Sequence, residues 1–88
     1  MCTNISETLA AAGAAKGGTG WFPVSAVNVG FDHAVGSQFD HALLVDFVNP
    51  ASGPSARIAV ELDLETGRAL VAALQSVIEA AEHSGAPV

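Results

Sequence analysis

Asp32-His33 and Asp40-His41 are two acid–imidazole pairs set eight residues apart, each inside a copy of Phe-Asp-His-Ala, at residues 31–34 and 39–42. Neutral imidazole binds zinc, copper, iron and nickel, and two histidines on adjacent strands can share one ion. Asp32 and Asp40 could add ligands, or could accept from the rings and fix their tautomers. Cys2 is a candidate third ligand, because a thiolate with two imidazoles suits zinc or copper. The same residues allow a metal-free chemistry. A histidine beside an acid moves protons near neutral pH, and Trp21 and Phe22 could wall a small substrate. If Met1 were removed, Cys2 would present both an amine and a thiol. No nucleophile elbow or oxyanion-hole motif accompanies these residues.

A plainer reading stands beside both. The histidines would flank a hairpin tip with solvated aspartates as neighbours, and Cys2 would be a small buried hydrophobe. Trp21 and Phe22 would anchor a core or an interface, and the protein would be an interaction module without chemistry. Lys16-Gly17-Gly18-Thr19-Gly20 lacks the Gly-Lys-Ser/Thr order of a phosphate loop. We read residues 15–20 as a turn.

The elements that must position the histidines follow from periodicity. Between Trp21 and His33, Val27, Val29 and Phe31 share one face of a strand, and Pro23 suits its start or an edge. Between His41 and Asn49, Leu43, Val45 and Phe47 do the same. A one-residue slip would send every side chain to the opposite face. Matching the apolar faces pairs Phe31 with Leu43, Val29 with Val45 and His33 with His41, which makes the histidines cross-strand neighbours about 5 Å apart at Cβ. Ala42, Leu44, Asp46 and Val48 form a second, largely apolar face that calls for cover, and Asp46 is expected to pair with Arg57 or to meet solvent.

Asn49-Pro50-Ala51-Ser52-Gly53-Pro54 is a turn by composition. Ile58, Val60 and Leu62 then point inward from a further strand. Asp63 caps a helix in which Leu70, Ala73, Leu74, Val77, Ile78 and Ala81 line one stripe and Gly85 ends the element. That helix is expected to cover the sheet. Ile5, Leu9 and Ala12 have helical spacing, and alanine favours helix, so on its own residues the first segment leans helical.

The chain has 88 residues, 50% of them hydrophobic, but 17 are alanine, so large apolar side chains are few. A single core is marginal at this size, and a subunit interface is a common remedy. We expect a homodimer with twofold symmetry. Three basic residues against nine acids give a net charge of −6, which argues against nucleic acid and anionic membranes as partners. One cysteine suits a reducing compartment, and no apolar run has membrane-spanning length. The sequence reads as soluble and cytoplasmic.

Met1-Cys2-Thr3, Gly20-Trp21-Phe22-Pro23, Asp32-His33, His41, Asp46-Phe47, Asn49-Pro50, and Gly53-Pro54 followed by Ala56-Arg57 resemble a family of small bacterial proteins of unknown function. The resemblance runs up to the final helix. It implies a strand rather than a helix for the first segment, and Ala34 stands where the family often has proline. It implies no activity. The expectation is one α+β domain over residues 1–88: a small antiparallel sheet of about four strands (3–12, 21–33, 41–49, 56–62), covered by one C-terminal helix (64–83). Its expected role is accessory: binding a metal ion (zinc, copper, nickel or iron) or a small ligand at His33/His41.

Overall fold

A computed structural model describes residues 3–88. Four antiparallel strands, β1 (Ile5–Gly17), β2 (Gly20–His33), β3 (His41–Val48) and β4 (Arg57–Leu62), form one sheet in the order β1-β2-β3-β4. Helix α1 (Leu64–Ser84) follows. The fold is α+β, as the patterning implies.

The register of the β2–β3 hairpin is the one that hydrophobic matching selects. Val29 faces Val45, Phe31 faces Leu43 and His33 faces His41. β4 continues it, with Val60 opposite Val45 and Leu62 opposite Leu43. One sheet face therefore carries Val27, Val29, Phe31, Leu43, Val45, Phe47, Ile58, Val60 and Leu62. The edge strands approach each other, with β1 and β4 Cα atoms within 8 Å.

The first strand is longer than periodicity suggests. β1 runs to Gly17 and leaves only Gly18-Thr19 as the turn, so most of residues 15–20 is paired strand. Strand formers Trp21 and Phe22 draw Lys16 and Ala15 into the ladder, and the Phe22 ring lies where a side chain on Gly17 would touch it. Inter-strand pairing overrides the helical preference of the alanines. The register shifts between Ala10 and Gly13, a bulge that the unpatterned Ala10-Ala11-Ala12 run accommodates. Pro23 sits within β2, where its missing N–H removes nothing from β3, because the β2–β3 ladder ends at Ala26–Val48. The Pro23 carbonyl instead accepts from the Asn49 side chain at 2.9 Å. Asn49 also accepts from Ala51 N–H at 3.2 Å, capping a single 3-10 turn over Pro50–Ser52.

Asp63 alone connects β4 to α1. Its carboxylate accepts from Thr66 N–H at 2.7 Å, which caps the helix, and Gly85 closes the other end at φ 75°. Gly67 is buried against Leu43, and a side-chain carbon there would collide with Leu43 Cδ2. Every other residue of the helix is exposed. Here the structure departs from expectation: α1 touches the sheet at its first turns and does not cover it. The one-residue connection and the Gly67–Leu43 contact set the direction in which the helix leaves. Among the described residues, the buried hydrophobic positions are Val24, Ala42 and Ala56.

Glycine at position 67 is thus a steric requirement. Gly67→Val gains a little helix propensity, but overpacking against Leu43 costs more, about 1–3 kcal/mol. The expected result is a lower urea midpoint at fixed protein concentration. An unchanged or higher midpoint would show that the contact is slack.

Candidate metal centre

His33 ends β2 and His41 begins β3, so the hairpin ladder opens on this pair. Their rings lie side by side with centroids 4.2 Å apart, and Phe31 stacks on His41 at 5.6 Å from the same sheet face. Asp40 precedes His41 and brings Oδ2 to 3.2 Å from His41 Nδ1. One ligand atom each from His33, Asp40 and His41 lies within 4.8 Å of the others. His33 and Asp40 are exposed, and His41 is half-buried.

The connection over residues 34–40 holds this geometry. Ala34 N–H donates to the Asp40 carbonyl at 3.2 Å, one step beyond the last ladder pair. Its middle is anchored from the side. Glu61 on β4 accepts from Val35 N–H at 2.7 Å, Gly36 N–H at 3.0 Å and Ser37 N–H at 2.8 Å. The Val35 amide first, with the Ser37 and Gly36 amides, holds the Glu61 carboxyl below its ordinary 4.5. Three backbone donors converging on one carboxylate form an anion cradle of the kind usually met around phosphate. Here the anion is built in.

Between this loop and β3–β4 runs an open groove of about 570 Å³, lined by Ser37, Leu44, Asp46, Arg57, Ala59 and Glu61 among others. Its charges are already paired. Arg57 donates to Asp46 Oδ2 from Nη2 at 2.9 Å and from Nε at 3.3 Å, as the sequence suggests, and Glu61 is held by the loop amides.

The structure separates the remaining candidates. Asp32 lies outside the ligand cluster, and its Oδ1 accepts from His33 N–H at 2.7 Å, bracing the backbone under the ring. Trp21 and Phe22 pair with Lys16 and Ala15 at the far end of β2. Twelve residue steps of strand, about 40 Å, separate Trp21 from His33, so these rings do not wall the histidine site. Cys2 lies outside the described residues. His83 joins no cluster; its Nδ1 contacts the Glu79 carbonyl at 2.7 Å within the helix. Sequence reasoning missed the Glu61 clasp. The signal was slight: a flexible Gly36-Ser37 step and a single acid in β4.

A family model matches residues 1–87 over nearly the whole chain. The chain belongs to a family of unknown function, DUF6295. This agrees with the resemblance carried by the motifs, and it extends through the final helix. Comparison with curated proteins and with solved structures gave no match.

The Glu61 clasp has a pH signature. A carboxyl held below its ordinary value in the folded chain stabilises the fold above about pH 4.5 and ceases to do so as pH falls through the folded value. Glu61→Gln should lower the urea midpoint at pH 7 and flatten its fall between pH 5 and 3. Amide exchange at Val35, Gly36 and Ser37 should quicken. Identical pH profiles for the two proteins would mean that the clasp contributes nothing.

Proposed function

We propose that this DUF6295 protein binds a divalent transition-metal ion through His33, Asp40 and His41. The observation that carries this reading is the convergence of three donor atoms within 4.8 Å at the hairpin tip. Donors on a tetrahedral zinc ion stand about 3.4 Å apart, given bond lengths near 2.1 Å. The His41 Nδ1–Asp40 Oδ2 separation of 3.2 Å already matches this. Rotation of the His33 ring and of the Asp40 carboxylate, 92% exposed, would close the remaining separations, all within 4.8 Å.

Two imidazoles and a carboxylate suit zinc, iron, nickel or copper, and disfavour calcium and magnesium, which prefer all-oxygen shells. Three protein donors leave a coordination position open to water or to a further ligand, as in sites where the metal meets substrate. Net charge adds long-range attraction for a cation, at −6 for the chain. Phe31 beneath His41 gives the site one apolar wall, which strengthens electrostatic interactions there.

Elemental analysis and titration calorimetry of untagged protein test this. The expected result is about one ion per chain, with binding abolished in His33→Ala and in His41→Ala and weakened roughly 10–100-fold in Asp40→Asn, using the effect of outer ligand partners as a lower guide. Lower pH should weaken binding, because a ligating imidazole must be neutral. Cys2→Ser, measured alongside, should bind as the parent does if three ligands suffice. Protein that stays metal-free when offered zinc, copper, nickel and iron in turn would overturn the reading.

A further inference from the structure

The protein as a single chain is too open for its mass. A compact folded chain of 8.8 kDa has about 4,800 Å² of accessible surface, whereas this one has 6490 Å². Its radius of gyration is 14.7 Å, against about 12 Å for a compact domain of this length. The surplus is about 1,700 Å². Obligate dimer interfaces remove about 1,000–2,500 Å² from each partner, so the surplus is the area that one such interface would take.

The surplus includes two apolar surfaces on the same molecule. The stripe of α1 leaves Leu70, Leu74, Val77 and Ile78 exposed by 45%, 53%, 67% and 54%. On the sheet, Ile5 and Leu9 are exposed by 61% and 51%, Phe47 by 36%, and Val27, Val45 and Val60 stay half-buried. The helix stripe begins at Gly67, seated on Leu43 of that sheet face, and then runs clear of it. The chain's own helix is held away by the Asp63 connection and the Gly67 seat. Among the described residues no large side chain is fully buried, so whatever covers these surfaces must accompany every folded molecule.

We infer that a second copy of this chain is the cover, each copy laying the Leu70–Ile78 stripe of α1 on the Val45–Phe47–Val60 face of the other's sheet. The arrangement is isologous and closes with two copies. It buries both apolar surfaces at once, whereas helix-to-helix pairing would leave the sheet face in water. A different partner would have to be present in equal number with every chain; a second copy always is. His33 and His41 lie on the same sheet face, two residues along the ladder from Phe31 and Leu43, so the metal site stands at the rim of this interface.

Sedimentation equilibrium of the full chain without added metal, from 1 µM to 1 mM, tests the inference. The expected mass is twice 8.8 kDa, with a melting temperature that rises with concentration. Leu74→Asp and Phe47→Asp should each shift the equilibrium toward monomer at least tenfold, and Gln75→Glu, outside the Leu70–Ile78 stripe, should leave it unchanged. An aspartate variant that fails to fold reports nothing on assembly, so mixed-isotope NMR of the parent supplies a second readout. Intermolecular contacts are expected between the methyls of Leu74 or Ile78 and those of Val45 or Val60. A folded monomer with concentration-independent melting would overturn the proposal. So would a dimer whose intermolecular contacts run only helix to helix or only along the β1 edge, or a chain that folds only when another protein is added.

Discussion

Everything at the histidine end of this molecule depends on which residues of β2 and β3 face each other. In an antiparallel pair a slip of one residue inverts both faces. The hydrophobic matching that puts Val29 on Val45 and Phe31 on Leu43 is therefore the same constraint that puts His33 on His41. The site does not need its own specification. Two imidazoles are brought to 4.2 Å by side chains that have no chemistry themselves. The Glu61 clasp then fixes the residues in between, tying the loop to a strand that is not part of the hairpin.

The register was legible because β2 alternates cleanly over the paired stretch, and odd-on-odd pairing sets its apolar side against Leu43, Val45 and Phe47, although the other face of β3 is largely apolar as well. The existence of α1 was legible too, from its stripe and from Asp63 and Gly85 at its ends. Its placement was not. An amphipathic stripe states that a surface must be covered, but periodicity does not say by which sheet, and a single residue between β4 and α1 settles the exit direction in a way that hydrophobic pattern does not encode. The first strand was illegible on its own residues for a different reason. Ala10-Ala11-Ala12 has no alternation, so neither the bulge nor the strand's extent leaves a trace, and the local preference of alanine points to the wrong element. The resemblance to a family corrected the type of element, and the pairing with Trp21 and Phe22 set its length.

The candidate site divided in the same way. His33 and His41 followed from register. Asp40 was one of two equivalent acids until the backbone turned it toward the His41 ring and left Asp32 bracing the chain. Trp21 and Phe22 drew notice as aromatics, and strand length alone removed them from the site. Glu61 could not be read at all. It reaches backbone amides 24 to 26 residues away, and backbone donors have no letter in the sequence.

The strand order has a consequence for how the chain reaches its fold. Each strand pairs with its neighbour in sequence, through connections at residues 18–19, 34–40 and 49–56. Loop closure at these lengths costs little entropy, and the cost grows only slowly with length. The sheet therefore has low contact order for an all-antiparallel array and can zip hairpin by hairpin without a long-range search. The two-residue turn at Gly18-Thr19 makes the β1–β2 hairpin the cheapest to close. The β2–β3 and β3–β4 connections, of nearly equal length, differ little in closure cost. The Glu61 clasp on the tip requires β4 to be in place, so the hairpin that carries the histidines is not complete by itself.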